Sequence, residues 1–172
     1  MRQKFGAQEF NYLPESYVLP DEIGAFRKTY AQIDHSLKRG LRRSTLAPRN
    51  DESTDFGDYT DNVWIVKPAQ SSRGRGIFLL QDLSELPTSE PHVISKYISN
   101  PLLISGYKFD LRIYVLITGV DPLKIYIYNE GLVRFASETY KGGTAGSKYS
   151  HLTNYSINKK SSNFVQNKSS SE

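Results

Sequence analysis

The residue types best suited to chemistry lie in six short segments between positions 64 and 160. In Trp64-Ile65-Val66-Lys67-Pro68 an apolar run ends in a lysine, whose ammonium can meet a phosphate as a point charge. Ser71-Ser72-Arg73-Gly74-Arg75-Gly76-Ile77 follows. Glycines at 74 and 76 let backbone N–H groups approach an anion without a Cβ clash, and Arg73 and Arg75 add charge. No Gly-Lys-Ser/Thr follows, so this reads as a donor-rich loop between strands, not a P-loop. The plain alternative is a hairpin turn with solvated arginines. Ser95, Lys96, Tyr97 and Ile98 close a further apolar run. They can offer backbone groups to the edge of a base and an apolar surface to its face, or simply end a half-buried strand.

Lys108, Asp110 and Arg112 alternate with Phe109, Leu111, Ile113, Val115 and Ile117, so a period of two puts the three charges on one strand face. Such a face needs water, mutual pairing or a ligand. It is either an ion-paired ladder or a surface for ribose and phosphate. Arg134 sits among Leu132, Val133, Phe135 and Ala136, and an arginine in so apolar a run waits for a carboxylate or phosphate, or makes a structural salt bridge. In His151-Leu152-Thr153-Asn154-Tyr155-Ser156, Thr153 and Asn154 offer compact polar groups to a phosphate or a metal-bound water. His151 is a catalytic candidate or a structural histidine. Three histidines without metal-ligand spacing argue against zinc.

The elements that must position these groups show in the patterning. Leu19-Pro20-Asp21-Glu22 reads as a helix start, and Ile23, Phe26, Tyr30 and Ile33 recur on one helical face. Residues 47–62, with five carboxylates among Pro, Gly, Ser and Asn, read as a loop. Strands are expected over 63–66, 76–80, 92–98 and 109–117. Two more, 124–128 and 132–136, flank Asn129-Glu130-Gly131, which reads as a hairpin turn. Gly142, Gly143 and Gly146 mark a further loop.

The 172 residues carry no Cys, which excludes a disulfide framework and thiolate metal sites. No run of about 18 apolar residues is present, and the first ten residues lack an apolar stretch of signal-peptide type. Residues 1–138 balance 17 Lys/Arg against 17 Asp/Glu; the rest hold five Lys and one carboxylate, Glu172. The basic end suits an acidic partner. It lacks the aromatic-interleaved sheet face of a nucleic-acid binder, so neither nucleic acid nor membrane is an expected partner.

In order and spacing these segments resemble the tubulin tyrosine ligase-like family, and within it the polyglutamylase branch. The resemblance covers nearly the whole chain, from about residue 10 to about 165. It implies an α+β, ATP-grasp-like fold with antiparallel sheets and flanking helices. The divisions it suggests are an N-terminal helical and loop segment at 1–62, a central portion with the glycine-rich loop at 63–100, the start of the C-terminal portion at 101–160 and a disordered or divergent tail at 161–172. It implies an ATP-dependent ligase that adds L-glutamate to side-chain carboxylates of tubulin tails through an acyl phosphate. ATP would be held by Lys67, Arg73, Gly74, Arg75, Gly76, Ser95, Lys96, Tyr97, Ile98, Lys108, Phe109, Asp110, Thr153 and Asn154. Arg73, Arg134 and Ser156 would bind the amino-acid substrates, and Arg112 and Arg134 would be catalytic.

The family's Mg2+ ligands, two carboxylates and an Asn, lie downstream of the His-Leu-Thr-Asn segment, and residues 139–171 hold no Asp or Glu. The metal ligands are therefore expected beyond residue 172, no metal ligand is assigned within the chain, and the C-terminal part of the fold is expected to be missing. The chain by itself is expected to be inactive. The alternative function is a nucleotide- or tubulin-binding module without turnover. A monomer on the cytoplasmic microtubule cytoskeleton, including cilium or basal body, completes the expectation.

Overall fold

A computed structural model describes residues 12–44, 62–143 and 146–165, with the backbone alone for 40–44. Residues 47–61 of the loop expected over 47–62, and the tail beyond 165, lie outside the described residues. The architecture is mixed, with antiparallel sheets and few helices. The chain divides into two compact units, Met1–Ser71 with Arg75–Ser99, and Ser72–Gly74 with Asn100–Glu172.

Among its described residues, the first unit is a four-stranded antiparallel sheet covered by one α-helix. Its elements are β1 (Ser16–Leu19), α1 (Ile23–Ser44), β2 (Trp64–Pro68), β3 (Phe78–Leu80) and β4 (His92–Lys96). The strand order is β1-β4-β2-β3. Alternation decides which side chains are inside. Trp64 and Val66 of β2 and Ile94 of β4 are fully buried, whereas Lys67 is exposed. The helical repeat expected from the sequence supplies the other half of the core: Phe26 is fully buried and meets Trp64 edge-on at 5.0 Å between ring centroids, with Ile23, Tyr30 and Ile33 partly buried beside it. Glu22 fixes the helix start, its carboxylate accepting from the Val18 N–H at 2.6 Å while its own N–H donates to the Val18 carbonyl at 2.8 Å. At the edge of this core the Tyr17 hydroxyl is pushed up to about 12 by burial and by its hydrogen bond to Glu15.

The second unit is built on a long ribbon. β5 (Leu103–Ile104), β6 (Tyr107–Val120) and β7 (Leu123–Phe135) form an antiparallel sheet in that order, followed by two short helices, α2 (Lys148–His151) and α3 (Tyr155–Asn158). The hairpin turn expected at Asn129-Glu130-Gly131 is not there. β7 runs unbroken through those residues, and the chain reverses instead at Asp121-Pro122. The three residues sit where the register shifts: Ile113 pairs with Gly131, but Val115 pairs with Ile127. They form a bulge, in which extra residues on one strand oppose fewer on the other. A Cβ on Gly131 would lie 2.8 Å from the Arg112 carbonyl, so the glycine serves close strand approach and not a reversal.

Candidate functional site

In the first unit, Lys67 lies on the sheet face opposite the Trp64–Val66 core, paired in register with Val93. The turn after β2 carries Arg75 and Gly76. Gly76 has φ of +71°, and a Cβ there would stand 2.9 Å from Pro68 Cγ. Backbone conformation and packing therefore both demand glycine at this position. Ser95, Lys96 and Tyr97 are buried and Ile98 is exposed. The Ser16 hydroxyl donates to Ser95 Oγ at 3.0 Å. Lys96 faces the core side, its Nζ 5.2 Å from the centre of the Trp64 ring. The backbone N–H groups of Lys96 and Tyr97 are already spent, on the Glu15 carbonyl at 2.7 Å and the Val63 carbonyl at 3.0 Å.

In the second unit the residues singled out in the sequence converge more tightly. The register of β6 against β7 sets Asp110 opposite Arg134. Arg134 Nε donates to Asp110 Oδ1 at 2.7 Å and Nη2 to Oδ2 at 2.6 Å, a two-pronged pair. The Thr153 hydroxyl donates to the same Oδ2 at 2.7 Å. Burial alone would push the Asp110 carboxyl up. The hydrogen bonds from Arg134 and Thr153 and the charges of Arg134 and Arg112 outweigh it and hold the carboxyl below its ordinary value. The same hydrogen bond to Asp110 raises Arg134. The salt bridge that the sequence left as one option for Arg134 is thus formed. It uses two of the five guanidinium N–H donors, leaving the others for a ligand.

Around this cluster, Lys108 Nζ lies 5.9 Å from the Tyr140 ring centre, and Phe109 faces Phe135 at 5.9 Å. Arg112 is exposed. Arg73 and Gly74 both have positive φ, +59° and +78°, and a Cβ on Gly74 would collide with Ile157 Cδ1. The Ser156 hydroxyl donates to the Arg73 carbonyl at 2.6 Å, tying that stretch to α3. Asn154 is the residue before α3, and its side chain makes no capping bond. His151 is buried with its ring edge-on to Tyr140 at 5.4 Å, a packed position. An open cavity of about 980 Å3 adjoins the cluster, lined among others by Arg134, Glu138, Lys141, Ser150 and Thr153.

Sequence reasoning missed Asn158. It is 1% exposed, and its side chain joins Ser137, Leu152 and Asn154 by four hydrogen bonds. The available signal was its spacing of four from Asn154, which puts both on one side of a helical turn. Glu138, which accepts from the Ser147 hydroxyl at 2.6 Å beside the cavity, was missed for want of any motif around it.

The sequence profile of the Tubulin-tyrosine ligase family matches residues 1–172. Among individual proteins, the chain is 40% identical over 169 residues to "Tubulin monoglutamylase TTLL4" of Homo sapiens, covering 97% of this chain and 12% of that protein. It is 40% identical over 167 residues to "Tubulin polyglutamylase TTLL5" of Mus musculus, covering 96% and 10%. It is 40% identical over 164 residues to "Probable tubulin polyglutamylase TTLL2" of Homo sapiens, covering 95% and 24%. The chain thus spans a quarter or less of the length of these relatives.

Proposed function

The chain belongs to the tubulin-tyrosine ligase family, and from that premise we propose that it serves an ATP-dependent protein–glutamate ligase of ATP-grasp architecture acting on the acidic tails of tubulin. The observation that carries the reading is the Asp110–Arg134–Thr153 cluster beside an open cavity, in a chain whose relatives are named as tubulin glutamylases. Each unit also offers cations of the kind that meet phosphates. Lys67, Arg73, Arg75 and Arg112 make no ion pair to any described residue. The positive-φ backbone at Arg73, Gly74 and Gly76 suits close approach of an anion.

In this reading Lys67, Arg73 and Gly74 hold the phosphates, aided by Arg75 and Gly76, and Ser95, Lys96, Tyr97 and Ile98 hold the adenine. The Lys96 and Tyr97 N–H groups are engaged in the sheet, and the exposed Ile98 offers an apolar surface to the face of the base. Lys108, Phe109 and Asp110 meet the nucleoside side, and Thr153 and Asn154 the terminal phosphate. A tail carboxylate oxygen attacks the γ-phosphorus; ADP leaves and an acyl phosphate forms. The amine of glutamate then attacks the acyl carbon and loses a proton, phosphate departs, and an amide bond results. Arg112 and Arg134 stabilise the charge that develops on the transferred group, and Arg134, Ser156 and Arg73 orient the amino-acid partners.

ATP in this family implies Mg2+. The described residues do not fit that ion: none of their His, Asp and Glu side chains form a group of three, and the Asp110 oxygens already accept from Arg134 and Thr153. The second reading is a nucleotide- or tubulin-binding module without turnover.

The deciding experiment incubates the protein with ATP, Mg2+, labelled glutamate and tubulin. The ligase reading expects ATP-dependent label in the tails, lost in Arg134→Ala; glycine and tyrosine serve as rival donors. ATP binding with no transfer of any donor selects the binding module. The cytoplasmic microtubule cytoskeleton, including cilia and basal bodies, is the location in which this substrate would be met.

A further inference from the structure

The segment from Leu152 to Asn154 poses a physical question. It leads into α3, which has only four residues, too few to be stable on its own. No side-chain cap closes that helix at Asn154. What fixes the segment is Asn158. Its Nδ2 donates to the Leu152 carbonyl at 2.6 Å and to the Asn154 carbonyl at 3.1 Å, the carbonyls of the two residues on either side of Thr153. Its Oδ1 accepts from the Ser137 N–H at 2.8 Å and the Ser137 hydroxyl at 2.7 Å, two residues past the end of β7. Two donors and two acceptor positions are all that a carboxamide has, and all are used. The orientation of the amide follows from its partners, since carbonyls only accept and a peptide N–H only donates.

We propose that Asn158 is the positioning residue of the nucleotide site: it fixes Leu152, Thr153 and Asn154 against the end of β7, so that Thr153 and Asn154 stand ready for the terminal phosphate. This rests on the reading of those two residues given above. Thr153 is anchored twice, through its flanking carbonyls to Asn158 and through its hydroxyl to Asp110. Asparagine alone fits this place. Aspartate is the same shape but sets an oxygen against two carbonyls; leucine fills the volume but takes the side-chain partner from the Leu152 carbonyl and the Ser137 hydroxyl, while the Asn154 carbonyl keeps the Ile157 and Asn158 N–H groups and the Ser137 N–H keeps the Tyr149 carbonyl.

Aspartate also provides a test that packing alone would not move. Its carboxyl, buried against two carbonyls, favours the neutral form, and the neutral form regains one O–H donor. The full 172-residue chain and its Asn158→Asp and Asn158→Leu variants would be followed by hydrogen exchange over residues 152–156 and by ATP titration, each from about pH 5 to pH 8, a range above the ordinary carboxyl pKa. At the alkaline end, both variants should exchange about tenfold faster there and bind ATP about tenfold more weakly, a loss of about 1.4 kcal/mol. β6 and β7 should stay protected.

On acidification Asn158→Asp should approach the wild type and Asn158→Leu should not. A leucine variant equal to wild type, or an aspartate variant without pH-dependent recovery, overturns the proposal. If either fails to fold, Ser137→Ala removes only one of the four bonds and should shift both readouts the same way by a few-fold; no shift overturns it. Wild-type protein that shows the exchange pattern but binds no ATP would sink the nucleotide reading and leave the anchoring of the segment standing.

Discussion

Asp110 belongs to two descriptions at once, a structural ion pair and a site residue, and its titration separates them. Its carboxyl is held below its ordinary value in the fold. A group whose pKa is lowered by folding stabilises the native state above its unfolded value, about 3.9 for Asp, and that contribution fades as pH falls through the lower folded value. Asp110→Asn should therefore melt below wild type at neutral pH, with the gap closing below about pH 4. The pair is about one-third exposed, so solvent screening limits the effect to about 1 kcal/mol. A gap that widened in acid would contradict the assignment. Gly74 makes a second prediction at this scale. Its φ of +78° and its contact with Ile157 exclude a side chain, so Gly74→Ala should weaken ATP binding in a titration while leaving the melting of the first unit unchanged.

The elements were legible to different degrees, for reasons that differ by element. The helix starting at Ile23 announced itself because Ile23, Phe26, Tyr30 and Ile33 repeat at the helical period, and those residues do meet the core. The pairing of Asp110 with Arg134 was open in the sequence, because strand alternation gives the face of a residue but not its partner across the sheet. Asn129-Glu130-Gly131 misled because a turn and a bulge ask for the same residues; only the ribbon's register tells them apart. The Asn158 anchor was hidden because buried polar networks leave no periodic trace.

The bulge supports a test. A Cβ at residue 131 would press on the Arg112 carbonyl, which is backbone and cannot swing away. Gly131→Val should cost about 1–3 kcal/mol in denaturant melts of the second unit. A true hairpin turn solvated at that point would tolerate it. In the first unit, Trp64→Ala should cost about 3–5 kcal/mol, since Trp64 is fully buried against Phe26 and Tyr17.

For the molecule as a whole, charge distribution is the property that bears on a partner. Residues 1–138 are balanced, so the excess of +4 belongs to the remainder of the chain. Among the described residues of that part, Lys141, Lys148, Lys159 and Lys160 are all exposed. None of them makes an ion pair with a described residue. Lys38, by contrast, already lies against Asp34 at 2.6 Å. An acidic tail should therefore feel Lys159 and Lys160 and be indifferent to Lys38. Exposed charges attract over roughly a Debye length, about 10 Å at 0.1 M salt, and that reach shrinks as salt rises. Affinity for a glutamate-rich tubulin tail peptide should fall steeply between about 50 mM and 300 mM salt, where the screening length itself falls by about half. The double variant Lys159→Glu with Lys160→Glu should bind about tenfold more weakly at low salt, with a flatter salt dependence, and Lys38→Glu should bind as wild type does. Fluorescence anisotropy of a labelled peptide measures all three. Equal losses from the three lysines would mean that only net charge matters; an affinity flat in salt would remove the C-terminal lysines from the proposed contact with a tubulin tail.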